Sequence, residues 1–294
     1  TASGDSVDYS LSSDTIKIPA GQTTGTINVN VIADQISDEG ETIILDIDSV
    51  VNAIEATEQQ VTITITEDIC GLTGGSNLSG VISSDKKLYK SCSPYTVSGN
   101  LLVNEGVTLT IEAGVTVKVS SSSVIQIKGT LIAVGTSSNK IKFTSNESTP
   151  SSGDWKYISF EDSSVDPTYD VSGNYLSGST LQYVDILFGG SDLNKGVINM
   201  TNSAIYINNI KLNNSSSYGL YFSKSSGSVP ESKVISSNIS NNANSAIYCQ
   251  CYQYNKSITV ENSTINNNTG YGISTGGGDA GGSHIFNYKN NIIT

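Results

Sequence analysis

The sequence predicts an all-β fold in two parts: a short acidic segment of paired strands, then a long solenoid of stacked strand coils. Three observations carry this. Apolar residues, mainly Val and Ile, recur at period two in short runs. Ser, Thr, Asn and Gly, the residues of tight turns, fill the gaps between the runs. Charge is also divided unevenly along the chain. Residues 1–69 hold thirteen Asp and Glu against Lys17 alone, whereas residues 70–294 hold fourteen acids and fourteen lysines, so the net charge of −12 belongs to the first segment. A length of 294 residues fits about two domains.

Composition excludes some functions. The chain has no arginine, the residue best suited to bidentate phosphate recognition, which argues against nucleic-acid binding. No apolar run reaches the roughly 18 residues of a membrane-spanning helix. No apolar leader opens the chain, which fits a mature product or a fragment. Four cysteines, an acidic balance and nine Asn-x-Ser/Thr sequons fit an oxidising, extracellular setting, although the sequons only permit glycosylation.

In the acidic segment, alternation predicts strands at 15–19, 26–32, 42–47 and 60–66. Val61, Ile63 and Ile65 are expected to share one buried face, and Ala20-Gly21-Gln22 to turn. So many carboxylates on a short stretch repel one another unless a cation neutralises them.

The residues between these strands follow an ordered pattern: Thr1-Ala2, Asp8-Tyr9, Pro19-Ala20-Gly21-Gln22-Thr23, Asp34-x-x-x-Asp38-x-x-Glu41-Thr42, and Ile63-Thr64-Ile65-Thr66-Glu67-Asp68. This pattern resembles the Calx-β domain, an immunoglobulin-like sandwich of sodium–calcium exchangers and bacterial surface proteins. The resemblance covers about residues 1–68. It implies a Ca²⁺ site made from Asp8, Asp34, Asp38, Glu41, Glu67 and Asp68, enough carboxylates for the 6–8 oxygen ligands of the ion. Ala33 stands where the family often has a first Asp, and the family's first strand is missing.

From about Tyr95 the strands shorten and recur. Val107–Ile111 in numbers 107–111, then 115–119, then 123–127 begin eight residues apart, with Leu131 eight past Ser123. One such strand cannot bury its apolar face alone, but stacked coils can. Three strands make a coil of about two dozen residues. Looser strands follow at 181–187, 197–200, 204–212, 219–222, 233–239, 245–249, 257–265 and 271–273. The turns Asn208-Asn209, Asn213-Asn214, Asn241-Asn242 and Asn266-Asn267-Asn268 suit a left-handed backbone, and stacked Asn side chains can pair in a ladder.

The run Gly129-Thr130-Leu131-x-Ala133-x-Gly135-Thr136, Ile141-x-Phe143-Thr144-Ser145, Gly153-Asp154-Trp155-x-x-Ile158-x-Phe160 resembles the first coils of right-handed parallel β-helix domains of prokaryotic surface proteins. The fold expected is therefore all-β, an Ig-like Calx-β sandwich (partial, residues 1–69) and a connector with an N-terminal cap (70–94), followed by a right-handed parallel β-helix (95–294). A sandwich that lacks its first strand and a helix that ends in strand suggest a segment of a longer chain, or one that joins copies of itself or other surface proteins through open strand edges.

Cys70 and Cys92 bracket the connector. A bridge between them would pin the cap, contributing about 3 kcal/mol. Cys249 and Cys251 would lie about 6.5 Å apart on a regular strand, near the upper limit for a bridge, so a second disulfide and two free thiols both stand open. The candidate acids for a glycosidase are Glu161, Asp162, Asp166, Asp170, Asp185 and Asp192, most of them in a loop expected to be solvated. The only histidine, His284, is expected in a flexible Gly-rich stretch. Fifteen tyrosines offer rings for sugars or for protein contacts; the later coils lack the regular Thr array that ice binding needs. The function expected is that of an extracellular, cell-surface structural or adhesive protein rather than an enzyme, with Ca²⁺ as cofactor, polysaccharide as a candidate partner, and neither nucleic acid nor a membrane span. The alternative is a carbohydrate-active β-helix enzyme or carbohydrate-binding module.

Overall fold

The structure is a computed structural model that describes residues 9–32, 42–54, 57, 60–64, 76–224, 230–251, 256–276 and 284–294. The chain divides into two compact units, Thr1–Gly74 and Gly75–Thr294.

The first unit is all-β in its described residues. Tyr9–Leu11 pairs antiparallel with Val29–Val31, and Thr42–Asp46 with Gln60–Thr64. The turn at Gly21 forms as expected, closed by Gln22 N–H donating to Pro19 O at 2.9 Å. Residues 15–19 form no strand. The expected buried face is also only partly present. Ile43 is fully buried opposite Ile63, but Val61 is 58% exposed. A two-stranded pair covers one face at most, and the two pairs do not by themselves make the expected sandwich.

The second unit is a parallel β-solenoid of the right-handed type. Each coil supplies one strand to each of three stacks. Sheet 1 contains Asn77–Ile82, the second half of Tyr95–Val103, Val124–Ile127, Tyr157–Phe160, Gly196–Thr201, Tyr218–Lys224, Ile247–Cys251 and Ile273–Gly276. Sheet 2 contains Lys86–Leu88, Thr108–Ile111, Thr130–Val134, Thr180–Gln182, Tyr206–Asn208, Ser232–Ile235, Lys256–Glu261 and His284–Lys289. Sheet 3 contains the first half of Tyr95–Val103, Thr116–Val119, Ile141–Ser145, Val184–Leu187, Lys211–Asn213, Asn238–Ser240, Thr264–Asn266 and Ile292–Ile293. The eight-residue spacing in the sequence is thus the step from one sheet to the next.

The coils begin earlier than the pattern predicts. Asn77–Ile82 and Lys86–Leu88 are already stacked in register on the following coil. Leu78, Ile82 and Leu88 point inward and are buried, which gives these strands a reason to join the solenoid. The interior is filled by aligned apolar columns such as Ile125, Ile158, Ile198, Leu220 and Ile247.

The corners explain the asparagines. Between sheets 2 and 3 one left-handed residue turns each of the later coils: Tyr183, Asn209, Ser236, Asn262 and Asn290. Between sheets 3 and 1 Phe188, Asn214, Asn241 and Asn267 do the same. Residues after these corners form ladders. Ile210 N–H donates to Ser237 Oγ at 3.3 Å, Ser237 N–H to Ser263 Oγ at 3.1 Å, and Ser263 N–H to Asn291 Oδ1 at 2.8 Å. On the other corner Ser215 N–H donates to Asn242 Oδ1 at 3.0 Å, and Asn242 N–H to Asn268 Oδ1 at 3.1 Å. Each coil therefore satisfies the buried corner amide of the coil before it.

Trp155 plugs the solenoid where the coil lengthens. It is fully buried, and its Nε1 donates to Leu187 O at 2.9 Å. Gly189 sits against its ring, 2.9 Å from a position that a Cβ would occupy, so only glycine fits there.

Candidate functional site

Five of the six carboxylates that the sequence offers to a glycosidase accept hydrogen bonds within a turn or between coils. Glu161 Oε1 leaves sheet 1 beside Gln126 and Ser159, accepting from Gln126 Nε2 at 3.0 Å and Ser159 Oγ at 2.9 Å. Asp166 accepts Ala204 N–H at 2.6 Å. Asp170 caps its own turn, accepting Ser172 N–H, Asn174 N–H and Asn174 Nδ2, each at 2.8 Å. These hydrogen bonds, the Asn174 side chain first, hold its carboxyl below the usual range. Asp185 pairs with Lys140 at 3.2 Å, Asp192 accepts Asn194 N–H at 3.1 Å, and Asp162 is exposed. Two of these acids share a neighbour. Burial raises the pKa of the Tyr157 phenol, and the charges of Asp192 and Glu161 raise it further; Lys195 Nζ lies 5.3 Å from the same ring. His284 is not in an irregular stretch: it opens the strand His284–Lys289, opposite Lys256.

The loop 161–179 is exposed at its outer residues as expected, Val171 and Leu176 among them, but it also has ordered structure that packs on the coils. Thr168–Tyr169 and Tyr175–Ser177 pair as a hairpin that lies over the outward row of sheet 2. Tyr175 stacks on Tyr206 at 4.9 Å and 17°, and Tyr169 meets Tyr206 edge-on at 6.2 Å. Tyr169 Oη donates to Glu231 O at 3.0 Å. Lys233 Nζ donates to Gly173 O at 2.7 Å and lies 4.2 Å from the Tyr169 ring. The hairpin therefore straps the coil it leaves to coils further on.

Sheet 1 carries the other aromatic group. Tyr221 and Tyr248 oppose each other on successive coils, 5.2 Å apart at 34°. Tyr218 lies 4.7 Å from Tyr248 and 5.6 Å from Tyr221. The Tyr221 hydroxyl bonds to Gln250. The sequence shows these tyrosines but not their grouping. The available signal was the interval from Tyr221 to Tyr248, which equals the 27-residue repeat of the corner ladder.

The expected metal ligands Asp8, Asp34, Asp38, Glu41, Glu67 and Asp68 lie outside the described residues, as does Cys70. Among the described residues no group of three or more His, Cys, Asp or Glu could hold a metal. Cys92 and Cys249 are buried, and neither is a free thiol. Cys251 follows on the same strand; its side chain lies outside the described set.

Residues 80–160 match the family described as pectate-lyase-like β-helix domain, a span that covers the first coils and ends at Phe160. The chain is similar to "Protein bark beetle" of Drosophila melanogaster, 40% identical over 70 residues. That stretch is 24% of this chain, and the chain spans about 2% of that protein's length. No solved structure matches. The fold is a parallel β-helix, and residues 80–160 of it are similar to the pectate-lyase-like family, an architecture shared by enzymes and non-enzymes.

Proposed function

We propose that the chain is an extracellular structural and adhesive protein, a non-catalytic β-helix that presents its flanks for binding, preceded by a Calx-β-like module that binds Ca²⁺. The observation that carries this reading is the employment of the candidate acids. Glu161, Asp166, Asp170, Asp185 and Asp192 each accept hydrogen bonds that fix a turn or a coil, whereas the outward rings gather into groups. Cys70–Cys92 and Cys249–Cys251 are the disulfide pairs that go with it. Five strand spacings of sheet 1 separate the coil of Leu101 from that of Ile247, about 24 Å, so a bridge from Cys92 to Cys249 is out of reach.

The test is incubation of the chain with a panel of neutral and acidic polysaccharides, read by reducing-end release and by absorbance of unsaturated products. The expected result is no turnover, together with retention of the labelled protein on cell surfaces or matrix. Turnover that Glu161→Gln abolishes would overturn the reading. It would favour the carbohydrate-active alternative, which draws on the approach of Glu161 and Asp192 to Tyr157.

A further inference from the structure

We propose that the outward face of sheet 3 binds an acidic polysaccharide that carries its charge on alternate sugars. The inference rests on the binding reading above and names the ligand class of one flank.

Residues 70–294 are neutral as a whole, yet their charges are sorted. The outward positions of the sheet 3 strands hold Lys118, Lys142 and Lys211 against Asp185 alone. Lys142, Asp185 and Lys211 stand in one row on successive coils, and Lys118 lies diagonally from Lys142 on the coil before. Asp185 is paired with Lys140, 3.2 Å away at the edge of the same sheet. Lys118, Lys142 and Lys211 form no ion pair among the described residues, and Lys142 and Lys211 are exposed. At the corners that flank the sheet, Glu112 is held by Lys87 and by the Lys90 amide, and Glu147 lies beyond the end of Ile141–Ser145. Unpaired like charges gathered on one flank raise its positive potential and draw an anionic chain to it.

The spacing names the ligand. Lys142 and Lys211 are two coils apart, about 10 Å. The position between them offers no spare cation, because Asp185 and Lys140 neutralise each other. An extended pyranose chain advances by about one strand spacing per sugar. A carboxylate on every second sugar therefore meets Lys142 and Lys211, while an uncharged sugar crosses Asp185. A chain charged on every sugar would set one carboxylate against Asp185. The same row continues through Thr116 on one side and Asn238 and Thr264 on the other, hydroxyls and an amide for the ring hydroxyls of a sugar. Lysine is a point charge that suits a single carboxylate. The face lacks what other polyanions ask for. Its outward positions carry no aromatic ring, since Tyr95 and Phe143 are buried. Such rings are the usual anchors of a protein partner and the stacking platforms of a single-stranded nucleic acid.

The test uses the full chain and calorimetric titration at low ionic strength. The saccharide probes are a hyaluronan hexasaccharide, with one carboxylate per disaccharide, hexagalacturonate, with one per sugar, and neutral cellohexaose. Hexaglutamate and a thymidine hexanucleotide stand for acidic protein and nucleic acid. The hyaluronan hexasaccharide is expected to bind most tightly, with an affinity that falls as salt rises. Lys142→Ala and Lys211→Ala should each weaken it about five-fold, the loss of one exposed ion pair, while Lys142→Arg keeps most of the affinity. Lys289→Ala, an exposed lysine on the flank of sheet 2, should change nothing. Asp185→Asn releases Lys140 and should bring hexagalacturonate level with the hyaluronan hexasaccharide. Lys142 and Lys211 are exposed, so their variants keep the fold, which circular dichroism verifies. Three results overturn the assignment: no binding of the hyaluronan hexasaccharide, equal or tighter binding of any other probe by the unaltered chain, or an affinity indifferent to Lys142→Ala and Lys211→Ala. Turnover is read separately, so failure of this flank and failure of the non-catalytic reading are distinguishable.

Discussion

Single residues at the corners carry more of the fold than their polarity suggests. Asn242 is buried, accepts Ser215 N–H and donates through Nδ2 to Asn268 Oδ1 at 2.8 Å. Asn242→Ala leaves a buried amide without its acceptor, at a cost of about 1–3 kcal/mol. Thermal unfolding should show a melting temperature several degrees lower; an unchanged value would mean that water replaces the ladder. The tyrosines of the strap make a second test. Burial, first among the causes, holds the phenols of Tyr169, Tyr175 and Tyr206 above their ordinary pKa of 10.0. In the unfolded chain these phenols lose their protons near pH 10, while in the folded chain they keep them to higher pH. Between those limits the unfolded state binds fewer protons, so stability is full below pH 10 and falls as the pH rises above it. Tyr169→Phe should flatten that decline when unfolding is followed by phenolate absorbance.

Among the elements, the hairpin of 168–177 departs furthest from a plain solenoid. Coils in a solenoid touch only their neighbours, but this strap leaves beside Thr180 and grips Tyr206 and Lys233 on later coils. Tyr175→Ala and Lys233→Met should each speed amide exchange across 204–235 while leaving 101–127 unaffected. Equal change in both regions would show that the strap does not couple coils locally. Nothing in the sequence announced this element, because Tyr169 and Tyr206 meet only after the chain has closed a coil. The coils themselves were legible. Val117, Val119, Ile125 and Ile127 alternate cleanly, and all are buried. The later strands were harder to delimit. The segment 181–187 reads as one strand, yet Tyr183 adopts a φ of 51° and splits it between two sheets. A tyrosine in the left-handed region gives no warning in a sequence, whereas Asn209 and Asn262 at the same corner do. The aromatic site was legible as composition and hidden as geometry until the repeat length was known.

At the scale of the whole molecule the two units should respond to different agents. Ca²⁺ is expected to raise the melting transition of Thr1–Gly74 by mass action and to leave that of Gly75–Thr294 unmoved. Calorimetry with and without chelator checks this, and a single transition indifferent to chelator would remove the ion from the account. Peptide mapping without reduction should recover Cys70 with Cys92. The ladder of corner residues has a further consequence. Asn209 and Ser236 occupy the same corner one coil apart, and the amide of Ser237 seeks its partner in Ser263 just as Ile210 seeks Ser237. Removal of residues 210–236 would join two chemically matching corners. The shortened protein should fold, which far-ultraviolet circular dichroism and a retained cooperative melt would verify. Such a protein can gain or lose reach by copying or excising one coil in its gene, in increments of about 4.8 Å, so its length is a heritable quantity that changes in whole-number steps.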